Sequence, residues 1–231
     1  MGLANSPSYS ITFINQLPPP NSGSFALFAG QNSLVWWAKF MNSGIGHQIP
    51  FRWQPEPCFV WGGPGELQGG DVFVPQQIVP ADLTDQNQIT LTYLNKTFNF
   101  IDQKPGSQPG SLFVSADGSI PSAVGSVGIG LAQRATFIVT AQPFMQYRFT
   151  PHLDYWCAFG DYRTGQMIDW EQVANKAQIH FGVNLYDLYA ILTKDNTWLF
   201  KTNDEVNQLL SVARQQDPGV TLNQLDFSVT L

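Results

Sequence analysis

Apolar and polar side chains alternate along this chain in short runs. That period of two puts one face of a strand in a core and the other toward water. In Ile89-Thr90-Leu91-Thr92-Tyr93 every second position is large and apolar, and Phe98-Asn99-Phe100 repeats the pattern beyond the turn dipeptide Asn95-Lys96. These two arms predict a hairpin. The same reading predicts strands at Ser8 to Asn15, Phe25 to Ala29, Leu34 to Met41, Phe51 to Trp53, Phe59 to Trp61 and Asp71 to Val74. Others follow at Leu112 to Val114, Phe137 to Val139, Met145 to Phe149, Tyr155 to Phe159 and Gln178 to Phe181. Asp187 to Leu192 is predicted to pair with Trp198 to Lys201 across Asp195-Asn196.

Punctuation fits this plan. The glycines and proline of Gly62-Gly63-Pro64-Gly65 are expected to stop the strand before them, and Asp117-Gly118 marks a turn between Leu112 to Val114 and Ser119-Ile120. Val124 to Gly130 carries glycines at strand spacing, which points to close packing or a bulge. Thr202-Asn203-Asp204-Glu205 resembles a capping box. Val206, Leu209, Leu210 and Ala213 then recur at helical spacing until Asp217-Pro218-Gly219. A helix over about 204–216 and a final strand over about 225–231 form a C-terminal extension, and a brief helical turn is expected around Trp170 to Lys176.

About a dozen strands without alternating helices indicate an all-β fold. The expectation is a two-sheet antiparallel β-sandwich, jelly-roll-like, with one short C-terminal helix. The Pro/Gly stretch at 104–110 is a loop, so residues 1–231 are read as one domain.

Composition narrows the partners. Only 12% of residues are charged, while Asn and Gln together number 35. Such a surface is polar but weakly self-repelling, suited either to self-association or to hydrogen-bonding a neutral ligand such as a glycan. The net charge is −6 and no Lys/Arg cluster is visible along the chain, which sets nucleic acid aside. No apolar run reaches the roughly 20 residues of a membrane span. Met1 to Ser6 lacks the features of a secretion signal but fits a loose myristoylation pattern. The expected location is the cytoplasm, or outside the cell without a cleavable signal.

Candidate chemistry is sparse. His47, His152 and His180 lie in separate segments with no metal-ligand spacing, and no cofactor is expected. Cys58 and Cys157 sit in aromatic strands, where a free cysteine acts as a small apolar side chain, although a disulfide between facing strands is geometrically conceivable. No nucleophile elbow, phosphate loop or calcium loop occurs. Aromatics are the remaining signal. Trp36, Trp37, Trp53, Trp61 and Tyr155, with His152, are the candidate ligand-binding residues; the same rings would also fill a core or an interface. Adjacent Trp36 and Trp37 would point to opposite faces of a strand, one of them free for a ligand or partner.

Ser33-Leu34-Val35-Trp36-Trp37-Ala38-Lys39, Phe51-Arg52-Trp53 and Phe59-Val60-Trp61 occur in that order. Pro80 to Leu83, Asn87 to Thr90, Gly110 to Phe113, Asp117 to Pro121, Ser126 to Gly130 and Phe149-Thr150-Pro151-His152 follow them. Over about residues 8–200 this series resembles the family of the rhizosphere-expressed protein RhiA. The resemblance implies a soluble bacterial or fungal protein with a binding or assembly role. It brings an association with plant roots and with cell-density control (quorum sensing), and no catalytic residues to carry over. The leading reading is a non-catalytic β-sandwich that self-associates as a homo-oligomer or binds a neutral ligand. The alternatives are a hydrolase using carboxylates with His152, and a membrane-active protein presenting Trp36 and Trp37.

Overall fold

Residues 7–30, 34–41, 48–151 and 153–227 are described by the structure, a computed structural model. The strands run in order as β1 (Tyr9–Asn15), β2 (Gly23–Ala29), β3 (Trp37–Met41), β4 (Gln48–Trp53), β5 (Pro57–Gly63), β6 (Val74–Pro80), β7 (Gln88–Leu94) and β8 (Thr97–Lys104). Then come β9 (Leu112–Ala116), β10 (Ser126–Leu131), β11 (Arg134–Thr140), β12 (Gln146–Phe149), β13 (Tyr155–Gly160), β14 (Ala177–Ile179), β15 (Asp187–Leu192) and β16 (Trp198–Lys201). Helix α1 (Asn203–Gln216) follows. The protein is mostly β with one short C-terminal helix. Among the described residues the strands form four sheets of four, against an expectation of two sheets: β16-β15-β1-β4, β14-β13-β2-β3, β11-β10-β5-β6 and β12-β9-β7-β8.

Two hydrophobic cores account for the doubling. One takes Ile11 and Phe13 from β1, Phe25 and Leu27 from β2, Phe51 and Trp53 from β4, Tyr155 and Cys157 from β13 and Ala190 from β15, so it joins the first two sheets. The other takes Phe59 from β5, Leu91 from β7, Phe100 from β8, Val114 from β9 and Ile129 from β10, joining the last two. The first core is built from both ends of the sequence, β1–β4 and β13–β16. Strands β5–β12 build the second and are inserted between Trp53 and Tyr155. Alternation reveals which side chains face inward but not which sheet lies opposite, so the nesting is invisible to it.

Outer faces are covered as well. Helix α1 buries Val206 and Leu209 against Ile14 and Ile191, and Val173 with the partly buried Trp170 covers Phe28 and Ala158. Strand β2 is buried at all seven positions, which is why Gly23–Ala29 reads as a continuous apolar run. The capping box forms: Glu205 N donates to Thr202 Oγ1 at 3.2 Å and Thr202 N donates to Glu205 Oε2 at 2.7 Å. At the hairpin predicted from residues 89–100, Asn95 and Lys96 take φ of 52° and 63°, the left-handed pair a two-residue turn needs.

Several expectations are corrected. Strand β5 continues through Gly62 and Gly63, because a Cβ on Gly62 would lie 2.4 Å from the Val74 carbonyl oxygen of the neighbouring strand, and glycine permits that approach. Val72 makes only an isolated bridge to Gln166, and the strand begins at Val74. Leu34 bridges Met167 and the strand after it starts at Trp37. Ser119 and Ile120 form no strand: Asp117 Oδ1 accepts from Ser119 N and ties off the turn, and β9 pairs in parallel with β7 instead. Residues 225–227 are not strand, and the remainder of the expected final strand lies outside the described residues.

Candidate ligand-binding cleft

One end of the first core is a nest of aromatic rings. Tyr9 opens β1 and is in register with Trp53, the last residue of β4, so the two rings stack at 5.8 Å and 16°. Tyr155 opens β13 opposite Ile179 of β14, and Phe181 follows two positions on. Phe181 meets Tyr9 edge-on at 4.8 Å, and Tyr155 meets Trp53 edge-on at 5.1 Å. A cleft of about 280 Å³ opens at this nest, lined by Tyr9, Leu153, Asp154, Tyr155, Gln178, Ile179, His180 and Phe181. Its exposed lining is mainly polar, with Asp154, Gln178 and His180 set beside the rings of Tyr9 and Phe181.

Two polar atoms in this nest are unsatisfied. Tyr155 Oη and Trp53 Nε1 are both buried without a hydrogen-bond partner. Burial pushes the Tyr155 pKa up to about 12; the nearby Trp53 indole tempers the rise, although the pair falls short of hydrogen-bonding geometry. The phenol therefore stays protonated at neutral pH and keeps one O–H to donate. Orphaned buried groups are rare in folded proteins and call for a partner.

The predicted residues divide between the two cores. Trp36, Trp53 and Tyr155 come together, with Trp36 stacked on Tyr155 at 5.7 Å and 24°. Trp36 is fully buried, and its Nε1 donates to Leu131 O at 3.0 Å. It precedes β3, so the strand rule of opposite faces does not apply, and Trp36 and Trp37 both contribute to the first core. Trp37 is half-buried. Trp61 belongs to the second core, where its Nε1 donates to Gln77 Oε1 at 2.6 Å. His152 and His47 lie outside the described residues. Sequence reading missed Tyr9, Asp154, Gln178, His180 and Phe181 as companions of Tyr155. They come from three distant segments, and only the pairing of β13 with β14 and the packing of their sheet against that of β1 bring them to one end.

Both cysteines are free and buried. Cys157 is in the first core and Cys58 packs with Val60 and Phe73 behind the second, so they are not positioned to pair. Burial pushes the Cys58 thiol up to about 12 and Cys157 well above its usual value, which removes thiolate nucleophilicity. Among the described residues no helix is long and apolar enough to cross a membrane.

A β-rich protein with a nested pair of cores and an aromatic cleft at one end is the class that fold and site define. The chain belongs to the RhiA family, which matches residues 4–203. It is 28% identical to the protein RhiA of Rhizobium leguminosarum bv. viciae over 204 residues, covering 85% of this chain and 87% of that one. Helix α1 falls almost wholly beyond the matched segment. No solved structure matches the chain.

Proposed function

We propose that the protein is a non-catalytic binding protein. In this reading each pair of facing sheets is a β-sandwich, and the cleft at the end of the first takes a neutral, hydroxyl-rich ligand of the glycan type. One observation carries the proposal: Tyr155 lines the cleft, and its hydroxyl, buried behind that wall on a residue 2% exposed, has no hydrogen-bond partner within the protein. A ligand hydroxyl would satisfy it. The rings of Tyr9 and Phe181 offer apolar surface to the C–H faces of a sugar, and Gln178 and Asp154 add further hydrogen-bonding groups. A glycan array followed by calorimetry on the full chain tests this. Saturable binding of a neutral saccharide is expected, and a blank array would remove the glycan reading.

Self-association is a second reading, favoured by apolar side chains left in the open. Phe144 is 82% exposed and Val183 95%, on a chain with 12% charged residues. Sedimentation across concentration tests it: a strict monomer at high concentration, in low and high salt, would end the idea.

A further inference from the structure

Eleven Lys and Arg residues are spread along this chain, yet the fold brings two of them, Arg134 and Lys39, against one indole, with Arg52 on the strand beside them. Arg134 opens β11 after a tight turn in which Ala132 and Gln133 take φ of 48° and 62°, and its guanidinium carbon lies 3.8 Å from the Trp37 ring centroid. The Lys39 ammonium sits 4.9 Å from the same ring and 4.6 Å from that of Phe51. Arg52 is exposed on β4 beside Phe51. Strands β3 and β4 are edge strands of the two sheets of the first core, and the β10–β11 turn belongs to the second, so the cluster marks the junction of the two cores.

No ion pair reaches these cations among the described residues. Among the described residues the one ion pair is Lys201–Glu205, remote from here. Glu56 joins the junction only through its backbone carbonyl, which accepts from Ala132 N. Burial lowers the Lys39 pKa, and the neighbouring charges that add to this, Arg134 and Arg52, are both positive. Donors remain available. Lys39 Nζ donates to Pro50 O and Arg134 Nη1 to Ala132 O, which uses one N–H of the three on the ammonium and one of the five on the guanidinium. Cation–π contact alone would explain a single cation on Trp37. It does not explain converging like charges in an acidic protein.

From this we infer an oxyanion site at Trp37, in which Arg134 and Lys39 hold a phosphate or carboxylate group and Arg52 adds positive charge from the neighbouring strand. A guanidinium stacked on an indole presents its edge as a fork, the geometry that binds two oxygens at once. The inference is independent of the glycan cleft.

The test follows the Trp37 indole and Arg134 guanidinium N–H resonances of the full chain by NMR. Sodium phosphate, sodium glucuronate and glucose are titrated at constant ionic strength, which removes non-specific screening. Saturable shifts are expected with phosphate, with glucuronate or with both, and none with glucose. Binding of phosphate alone assigns a free or terminal phosphate; binding of glucuronate assigns a carboxylate-bearing ligand. Lys39→Gln and Arg134→Gln should each weaken binding about tenfold, as loss of a charge-assisted hydrogen bond does. Exposed Arg52→Gln, which leaves the Trp37 stack intact, should weaken it about threefold. Non-saturating shifts, equal response to glucose, or affinities unchanged in Arg52→Gln and Lys39→Gln would overturn the assignment.

Discussion

Tyr155 is stacked on Trp36 across 5.7 Å, and the two differ in how their polar atoms are satisfied. The Trp36 N–H reaches the Leu131 carbonyl at the end of β10, a strand of the second pair of sheets, whereas the Tyr155 O–H has no acceptor in hydrogen-bonding geometry. One ring fastens the two halves of the fold together, and the other keeps an unspent donor beside a cleft.

The Trp36 contact makes a stability prediction. Trp36→Phe removes the N–H, leaves Leu131 O without this donor and opens space in a closed core. It should destabilise the chain by about 2–3 kcal/mol, measured as a lower urea midpoint. An unchanged midpoint would show that the two cores do not depend on this tie.

Alkaline pH should weaken the fold. Cys58 is raised from 9.0 to about 12 and Tyr155 from 10.0 to about 12 by burial. Both groups are acids whose folded-state pKa lies above the unfolded one, so the unfolded state loses its protons first. Stability is intact below about pH 9 and falls as pH rises toward 12, by up to about 1.4 kcal/mol per pH unit for each group. Denaturant titrations at pH 8, 9 and 10 should show the decline, and Cys58→Ala should roughly halve its first unit, with buried Cys157, also raised, carrying the rest.

Two glycines should behave oppositely. A Cβ on Gly128 would lie 1.9 Å from the Phe137 carbonyl oxygen, which is backbone and cannot step aside. Gly128→Ala should cost at least about 3 kcal/mol or block folding. Gly69 has open space around it, so Gly69→Ala should stay within about 1 kcal/mol of the parent. Thermal melts of the two variants check the contrast.

Helix α1 depends on its first turn. Thr202→Ala removes one half of the capping box and should cost about 1 kcal/mol. Hydrogen exchange should then quicken through Asn203–Gln216, which rest on Ile14 and Ile191.

Much of the fold was legible in the residues. Alternation located the 88–104 hairpin and the pairing of β15 with β16, and capping chemistry located α1. Other features were not. The turn Ala132-Gln133 carries no turn residue, yet it closes the β10–β11 pairing of Leu131 with Arg134 through a left-handed pair. Strand β6 begins and ends near proline, a signal that argues against a strand unless it is an edge, which β6 is. The site was half legible. The side-chain chemistry of Tyr155, Trp36 and Trp53 marks them along the chain, but Tyr9, His180 and Phe181 join Tyr155 only through strand pairing and sheet packing. Likewise Lys39, Arg52 and Arg134 form no cluster along the chain and become one in space.

Tyr155→Phe deletes one oxygen, the buried hydroxyl that has no partner within the protein. Calorimetry of the parent and the variant against the neutral saccharide that the array selects should show affinity falling about tenfold. The melting temperature should hold or rise, because an orphaned polar group has left the interior. Equal affinity in the two proteins would contradict the account, since the cleft would then bind without the donor assigned to it.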